Sequence, residues 1–230
     1  MANILITGAG RGIALELAKQ HAAAGDRVYA TARDPGASAA LRELAEGSGG
    51  KVTVHALDVG SDESVRAAVE EIDAPQIDVI YNVAGVLGSV KPELTLGSSD
   101  WDAWTGVINI MTYGPLRVLQ GFLPRMVPGS RVLNLTSQLA ASTWPFGGLY
   151  PYGVAKSGLN RLMRSVAIDL RDRGIIVGIV HPGYVQTDMG GPNAEITPEE
   201  SASGLRKLAG SWPLEKSGDF LKWNGEPHAW

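Results

Sequence analysis

Tyr152 and Lys156 are the two residues whose types and spacing most directly suggest chemistry. They lie in a stretch from about Pro151 to about Asp172 whose apolar residues recur at three- and four-residue spacing, which predicts a helix. A separation of four residues places both side chains on one face of that helix. An ammonium group beside a phenol favours the phenolate and lowers a pKa that is ordinarily about 10. A tyrosine tuned in this way can pass a proton to or from a carbonyl or alcohol oxygen.

The same spacing fits an ordinary helix with one buried tyrosine and one solvated lysine, so its meaning depends on the elements around it. Strands and helices alternate along the chain, and several strands are continuously apolar, as parallel strands buried on both faces are. The predicted strands cover residues 3–7, 26–33, 51–57, 77–81, 131–135, 175–180 and 220–223. This alternation predicts an α/β fold in which residues 1–230 form a single doubly wound Rossmann-type domain, with a mostly parallel sheet flanked by helices.

Such a sheet binds ligands outside the carboxyl ends of its strands, and Tyr152 begins the helix that follows the fifth strand on the same rim. The loops at these ends carry Gly8, Arg33, Asp58, Asn82, Ser137 and Pro182-Gly183. The predicted sheet therefore brings residues from distant parts of the sequence to one edge, where a ligand could contact several of them.

The first of these loops is rich in glycine and runs from Gly8 to Gly12. Glycines let the backbone approach a pyrophosphate, and the N-terminus of the next helix offers it unpaired N–H groups. Arg33 lies just beyond the second strand, where an arginine accommodates the 2′-phosphate of NADP and an acidic residue would bind the 2′-hydroxyl of NAD. Arg11, within the glycine loop, adds a second positive charge. The alternative is an ordinary βα turn with two solvated arginines.

Composition argues against several classes of function. The chain has 230 residues, 44% of them apolar and 19% charged, which is enough to bury a sizeable core. A net charge of −4 without a long basic run gives no support for binding to nucleic acid or to a membrane surface. There are no cysteines, and the four histidines lack metal-ligand spacing, so we expect no metal site. No apolar run reaches the roughly 18 residues of a membrane span, and the first strand leaves no room for a signal peptide, so we expect a cytoplasmic protein.

Taken together, the motifs closely resemble those of the short-chain dehydrogenase/reductase family. The matches, in the family's order, are TGAGRGIA at 7–14, Asp58-Val59, NVAG at 82–85, LTS at 135–137, YGVAK at 152–156 and HPGYVQTD at 181–188. The stretch HPGYVQTDMGG and the ending from Trp223 to Trp230 are similar to the C-factor-type subgroup of small carbonyl reductases. The resemblance covers essentially the whole chain. It implies an oxidoreductase that interconverts a carbonyl and an alcohol by hydride transfer, with NADP, or else NAD, as its cofactor.

The resemblance also implies roles for individual residues. Tyr152 would be the catalytic acid/base, Lys156 would lower its pKa and bind the nicotinamide ribose, and Ser137 would orient the substrate oxygen. The remaining cofactor contacts that it implies are Gly8, Arg11, Gly12 and Ile13 near the pyrophosphate, Asp58 and Val59 at the adenine, Asn82, Ala84 and Gly85 along the central part, and Pro182, Gly183, Val185 and Thr187 on the nicotinamide side.

Two departures from the family's pattern are small. Ala14 replaces the third glycine of the glycine loop motif, which adds one methyl group where a helix packs closely on a strand. Ser137 lies fifteen residues before Tyr152, more than is usual in the family, and we attribute the extra residues to a loop at 144–148 over the active site.

A third departure is more serious. The family usually has an asparagine three residues before a Gly-Pro pair on the long helix, and here Gly114-Pro115 places Met111 at that position. Asn109 lies two residues away, about 200° round a regular helix. Either the helix carries a bulge that restores Asn109, or the asparagine's role in the proton relay is lost.

This departure keeps a second function open, namely a non-catalytic dinucleotide-sensing or signalling protein on the same scaffold. Retention of Ser137, Tyr152 and Lys156 argues against it, since a sensor does not need them. A sugar-nucleotide epimerase or dehydratase would share the tyrosine and lysine, but it would need a longer substrate region than the roughly 40 residues after Val185. Four residues on loops near the expected site suggest an apolar or aromatic substrate unless they serve as core or dimer contacts: Trp144, Phe146, Tyr184 and Met189.

A single long helix is predicted from Trp101 to Met126, and its apolar residues cover more of its circumference than one stripe against a sheet requires. We therefore expect this helix to pack against its counterpart in a homodimer or homotetramer, since the family commonly uses it as an oligomer interface. The competing account is that residues 86–100 fold over the outer face and leave a monomer.

Overall fold

The structure, a computed structural model, describes residues 1–87 and 100–230. Its strands form one seven-stranded sheet in the order β3-β2-β1-β4-β5-β6-β7, and every neighbouring pair is parallel. The strands are β1 (Asn3–Ile6), β2 (Arg27–Ala32), β3 (Val52–Ala56), β4 (Val79–Asn82), β5 (Arg131–Leu135), β6 (Ile176–His181) and β7 (Phe220–Lys222). This confirms the predicted α/β class, with a sheet that is wholly rather than mostly parallel.

Helices cover both faces of the sheet, and each face has its own apolar core. The helices are α1 (Gly12–Ala23), α2 (Ala39–Gly47), α3 (Asp62–Glu71), α4 (Trp101–Ile108), α5 (Gly114–Phe122), α6 (Tyr150–Asp169) and α7 (Pro198–Ser211). One core lies beneath α1, α2 and α7, and the other lies beneath α3, α5 and α6. Thr197 and Glu200 form a capping box at the start of α7, because each side chain accepts the other residue's backbone N–H.

The order of the strands reverses beside β1. The chain moves from β1 outward to β2 and β3, and then returns so that β4 pairs with β1 on its other side. The connections that leave β1 and β4 therefore diverge to opposite sides and open a crevice at the carboxyl ends of these strands, where ligands bind in folds of this type.

The long helix predicted from Trp101 to Met126 is interrupted in the structure. The helix α4 ends at Ile108, a π-helical turn spans Asn109–Tyr113, and α5 begins at Gly114. A π turn closes i→i+5 hydrogen bonds, so the residues before and after it do not share one 3.6-residue period. The side chains of this region therefore cannot be placed on one regular helical wheel.

Within the two described ranges, 1–87 and 100–230, no helix is both long enough and apolar enough to cross a lipid bilayer.

Candidate active site

The glycine loop of residues 8–12 lies at the carboxyl end of β1, against the segment that follows β4. Gly8 has a φ of 72°, and a Cβ on it would lie 2.9 Å from the Cα of Ala84. Gly12 has a φ of 57°, and a Cβ on it would lie 3.2 Å from the Cγ2 of Thr187. These positive φ values and close approaches require glycine. At these two glycines the backbone itself, rather than a side chain, therefore faces the crevice.

The helix α1 begins directly after this loop, with Arg11 as its N-cap residue. No side chain caps the first N–H groups of α1, α5 or α6, whereas a serine, aspartate or threonine side chain caps α2, α3, α4 and α7. Uncapped N–H groups and the positive end of the helix dipole favour an anion. The glycine loop and the N-terminus of α1 together fit the pyrophosphate of a dinucleotide.

The two arginines expected near the 2′-phosphate have different surroundings. The Arg11 guanidinium forms an ion pair with Asp188 at 2.9 Å, and both side chains are largely exposed. Arg33 is exposed at the end of β2, and it forms no ion pair or hydrogen bond with any residue in the described ranges. Arg33 is thus available to an anionic ligand, whereas Arg11 must first leave Asp188.

On the adenine side, Asp58 and Val59 follow β3 as predicted. One carboxylate oxygen of Asp58 accepts the backbone N–H of Gly60 at 2.8 Å, which fixes the turn. Val59 is buried, and a Cβ on Gly114 would lie 2.9 Å from its Cγ2. The carbonyl oxygen of Gly60 accepts a hydrogen bond from the side-chain amide of Asn109 at 2.9 Å. The predicted adenine segment is therefore anchored to the π turn.

The central residues of the crevice are held at the end of β4. The buried side-chain amide of Asn82 donates to the Oδ1 of Asn134 on β5 at 2.9 Å. The hydroxyl of Thr7 accepts the backbone N–H of Ala84 at 3.1 Å, which ties this segment to β1. Further along the rim, Val185 is buried while Pro182, Gly183 and Thr187 are partly exposed on the loop after β6. The glycine loop thus lies against both other segments, with Gly8 beside Ala84 and Gly12 beside Thr187.

Ser137 lies directly after β5 and is buried. Its hydroxyl caps a short 3-10 turn at Gln138–Ala140 by accepting the backbone N–H of Leu139 at 3.2 Å. The hydroxyl of Ser137 also acts on the phenol of Tyr152 and lowers its pKa, against a larger opposing effect of burial. The extra residues between the two side chains form a loop on the surface, so their separation in sequence does not keep them apart.

Lys156 is buried on α6, one turn after Tyr152. Its Nζ donates to the carbonyl oxygen of Leu135 at 2.7 Å, and it lies 5.8 Å from the centroid of the Tyr152 ring. Burial disfavours the ammonium and lowers the pKa of Lys156 to about 8. Lys156 is therefore mostly protonated at neutral pH, and it loses its proton at a lower pH than an ordinary lysine does.

The pKa of Tyr152 is governed mainly by burial in this structure. Burial raises the pKa of Tyr152, and the Ser137 hydroxyl offsets only part of that rise. Burial acts first because a phenolate loses more hydration than a phenol does when it leaves water. The Ser137 hydroxyl favours the phenolate, whereas the effect of Lys156 on Tyr152 stays a prediction.

The π turn does not restore Asn109 to the site. The π turn is a bulge, which the first of the two alternatives required. The side chain of Asn109, however, points to Gly60. Met111 is buried beside Val107, Ala155 and Tyr152. A thioether cannot donate a proton, so no side chain at this position contributes an acid or a base. The polar side chain that the family usually has there is missing.

Sequence analysis missed His181, which it treated only as part of a matched motif. The Nδ1 of this buried imidazole accepts the backbone N–H of Gln138, the residue directly after Ser137, at 3.3 Å. Burial and the nearby charges of His228 and Lys222 lower the pKa of His181 to about 4. The available signal was its position at the carboxyl end of β6, on the rim that carries the rest of the site.

Comparisons with known proteins show which proteins this chain is similar to. The family model described as short chain dehydrogenase matches residues 2–197. The C-signal protein of Myxococcus xanthus is 36% identical over 171 residues, which are 72% of this chain and all of that protein. A 1-hydroxy-2-glutathionyl-2-methyl-3-butene dehydrogenase of Rhodococcus sp. strain AD45 is 31% identical over 237 residues, which span both proteins fully.

Two solved structures are similar over the whole chain. The NADPH-bound carbonyl reductase from chicken fatty liver has a TM-score of 0.90 at 29% identity, and the match covers 100% of this chain and 99% of that one. A carbonyl reductase from Pseudomonas aeruginosa PAO1 in complex with NADP has a TM-score of 0.86 at 29% identity, with full coverage of both chains.

Proposed function

Because the chain belongs to the short-chain dehydrogenase/reductase family, we propose that it is an NADP-dependent oxidoreductase that interconverts a carbonyl and an alcohol. The observation that carries this proposal is the grouping of Ser137, Tyr152 and Lys156 at the rim of the crevice. The carbonyl reductases with bound NADPH and NADP support the choice of cofactor. When bound, the nicotinamide supplies or accepts the hydride.

The chain's own residues would bind the cofactor and handle the proton. The glycine loop and the N-terminus of α1 would hold the pyrophosphate, and Lys156 would contact the nicotinamide ribose. Ser137 would donate a hydrogen bond to the substrate oxygen and orient it toward Tyr152. Because burial raises the pKa of Tyr152, its phenol is protonated at neutral pH and suited to donate a proton to a carbonyl oxygen. A protonated phenol is the form that reduction of a carbonyl requires.

The substrate side of the site carries exposed aromatic surface. Trp144 and Phe146 form an edge-to-face pair with centroids 5.3 Å apart, and Phe146 is 69% exposed. Tyr184 and Met189, on the loop after β6, are each 43% exposed. Exposed rings beside polar catalytic groups suit an apolar or aromatic small molecule that presents one carbonyl or hydroxyl.

The test is a screen for NADPH oxidation against varied ketones and aldehydes, and for NADP reduction against the matching alcohols. We expect turnover of at least one apolar or aromatic carbonyl. Cofactor binding without turnover of any compound would contradict the proposal and favour a non-catalytic dinucleotide sensor. The buried Met111 in place of a polar side chain is the observation that favours this second function.

NADPH is expected to bind more tightly than NADH, mainly through Arg33. Charge-assisted hydrogen bonds contribute about 1.5–3 kcal/mol each, so Arg33→Ala should weaken NADPH binding by roughly 10- to 100-fold and leave NADH binding nearly unchanged. Arg11→Ala should have a smaller effect, because Arg11 must break its ion pair with Asp188 before it binds a phosphate. Fluorescence titration of both cofactors measures this, with Arg171→Ala as a control far from the crevice. Equal affinities of the unchanged protein for the two cofactors would contradict the prediction.

We propose that the chain forms a homodimer or homotetramer through the outer faces of α4, the π turn and α6. Four large apolar side chains there are exposed by half or more: Trp101 at 68%, Tyr113 at 52%, Val154 at 51% and Ile168 at 60%. Carboxylates are disfavoured in apolar interfaces, so Val154→Asp combined with Ile168→Asp should yield monomers. Sedimentation at micromolar concentration measures this, and a monomeric unchanged protein would contradict it. Most of the competing segment, residues 88–99, lies outside the described residues.

Two further proposals concern the domain organisation of the chain and its location in the cell. We propose that residues 1–230 fold as one domain, since the sheet draws its strands from the whole span between β1 and β7. A single cooperative unfolding transition by two spectroscopic probes would support this, and two separate transitions would contradict it. We also propose a cytoplasmic location, which fractionation of cells that produce the protein would test.

A further inference from the structure

We propose that His181 is a positioning residue for Ser137, and that residues 226–230, here called the return segment, hold His181 in place. This inference rests on the proposed function, because it assigns Ser137 to the substrate oxygen. It concerns how that hydroxyl is aimed, which neither the motifs nor the comparisons address.

The first step is the turn that follows Ser137. The hydroxyl of Ser137 and the N–H of Gln138 belong to adjacent residues, so rotation of the peptide between them moves the hydroxyl. His181 fixes that peptide by accepting the N–H of Gln138 at Nδ1. The other end of the turn is fixed by Ser157 on α6, whose hydroxyl donates to the carbonyl oxygen of Ala140 at 2.9 Å. With both ends held, the turn presents the Ser137 side chain in one orientation.

The second step is the state of the imidazole. Nδ1 accepts a hydrogen bond only when it carries no proton, so His181 must be the neutral tautomer with its proton on Nε2. The pKa of His181, lowered to about 4 mainly by burial, keeps the ring neutral at neutral pH, and the bond from Gln138 selects the tautomer. The side chain thus acts as a fixed acceptor rather than as an acid or a base.

The third step is the support behind His181. The ring of His228 lies edge-on to His181, with centroids 5.5 Å apart, and stacks on Phe220 at 4.4 Å. The backbone N–H of His228 donates to the carbonyl oxygen of Phe220 at 2.9 Å. The return segment therefore packs a ring that is itself anchored on β7 against the imidazole of His181.

The return segment also contacts the start of the loop that carries Trp144 and Phe146. The hydroxyl of Ser142 donates to the main-chain oxygen of Trp230 at 2.8 Å, and the Trp230 ring contacts Phe220 with centroids 5.9 Å apart. The same segment thus supports His181 and holds the start of the loop that carries Trp144 and Phe146. The geometry points to a chain of contacts from β7 through the return segment to Ser137.

The test compares His181→Phe, which fills the space without an acceptor, with His181→Asn, whose Oδ1 can accept the same N–H. We expect His181→Phe to speed amide hydrogen exchange of Gln138, followed by NMR, by about tenfold or more. We also expect kcat to fall by about tenfold or more while the Kd for NADPH stays within about twofold, because small misplacements of catalytic groups slow the chemical step. His181→Asn should restore slow exchange and most of kcat. His55→Phe, on β3, is the matched control and should change neither quantity.

A role limited to stability would predict that both His181 variants lose Tm while kcat per folded molecule stays unchanged, and that outcome would overturn the proposal. Unchanged exchange of Gln138 in His181→Phe would overturn it as well. If His181→Phe does not fold, His228→Ala replaces it, with faster Gln138 exchange and lower kcat expected and no change in either contradicting the proposal. If the unchanged protein turns over no carbonyl, the proposed function fails, and the exchange measurement still decides whether His181 holds the turn.

Discussion

Replacement of Tyr152 by phenylalanine is expected to lower kcat by about 10²- to 10⁴-fold, the usual range for loss of a general acid or base. The ring would keep its packing beside Met111 and Ala155, because only the phenol oxygen is removed. Binding of NADPH should therefore change by less than about twofold. Steady-state kinetics on a carbonyl from the substrate screen, together with fluorescence titration of NADPH, measure the two effects separately.

Tyr150→Phe provides the matched control, since Tyr150 opens the same helix two residues earlier. It should retain most of kcat. Activity of Tyr152→Phe above a few per cent of the unchanged protein would show that another group supplies the proton and would remove Tyr152 from the catalytic role.

Replacement of Lys156 by methionine is expected to reduce both turnover and cofactor binding. Methionine has a similar length and packs in apolar surroundings, but it carries no charge and cannot donate a hydrogen bond. Loss of a charge-assisted contact to the ribose should weaken NADPH binding by roughly tenfold or more, and kcat/KM should fall by more than the loss of binding alone explains. A variant that loses affinity with an unchanged kcat would limit Lys156 to a binding role.

Burial of Lys156 also predicts a pH dependence of the free energy of unfolding, which can be measured without an activity assay. Its pKa is about 8 in the folded protein against an ordinary value of 10.5, so between these values the unfolded chain binds the proton and the folded chain does not. Stability from this group therefore rises as the pH increases from about 8 toward 10.5 and is lowest below pH 8. Lys156→Met should lack that rise when the two proteins are compared by urea unfolding. Parallel pH profiles would contradict burial of the amine.

The parts of the structure that local patterns determine were the ones that sequence could predict. Apolar strands and helix ends follow from periodicity and capping, and the glycine requirement at Gly8 follows from a loop that must approach Ala84. The grouping of Ser137, Tyr152 and Lys156 followed from the rule that strand ends meet at one edge of a parallel sheet.

Features that depend on contacts between residues far apart in the sequence could not be predicted from local patterns. Arg11 and Asp188 are far apart in sequence, and nothing in either neighbourhood indicates their ion pair. The π turn cannot be predicted from helical periodicity, because that periodicity assumes a constant 3.6 residues per turn. The rise in the pKa of Tyr152 depends on burial, which the Tyr-x-x-x-Lys spacing does not report.

The return segment has a consequence for association between molecules. A strand at the edge of a sheet presents unpaired N–H and C=O groups, which can recruit a strand from another chain and start aggregation. On the side of β7 away from β6, Pro227 lies opposite Leu221, and the backbone N–H of Lys222 donates to the carbonyl oxygen of Glu226 at 2.8 Å. A proline has no N–H to offer to a further strand. The chain thus closes this edge of its own sheet, and a strand from a neighbouring molecule cannot extend it there.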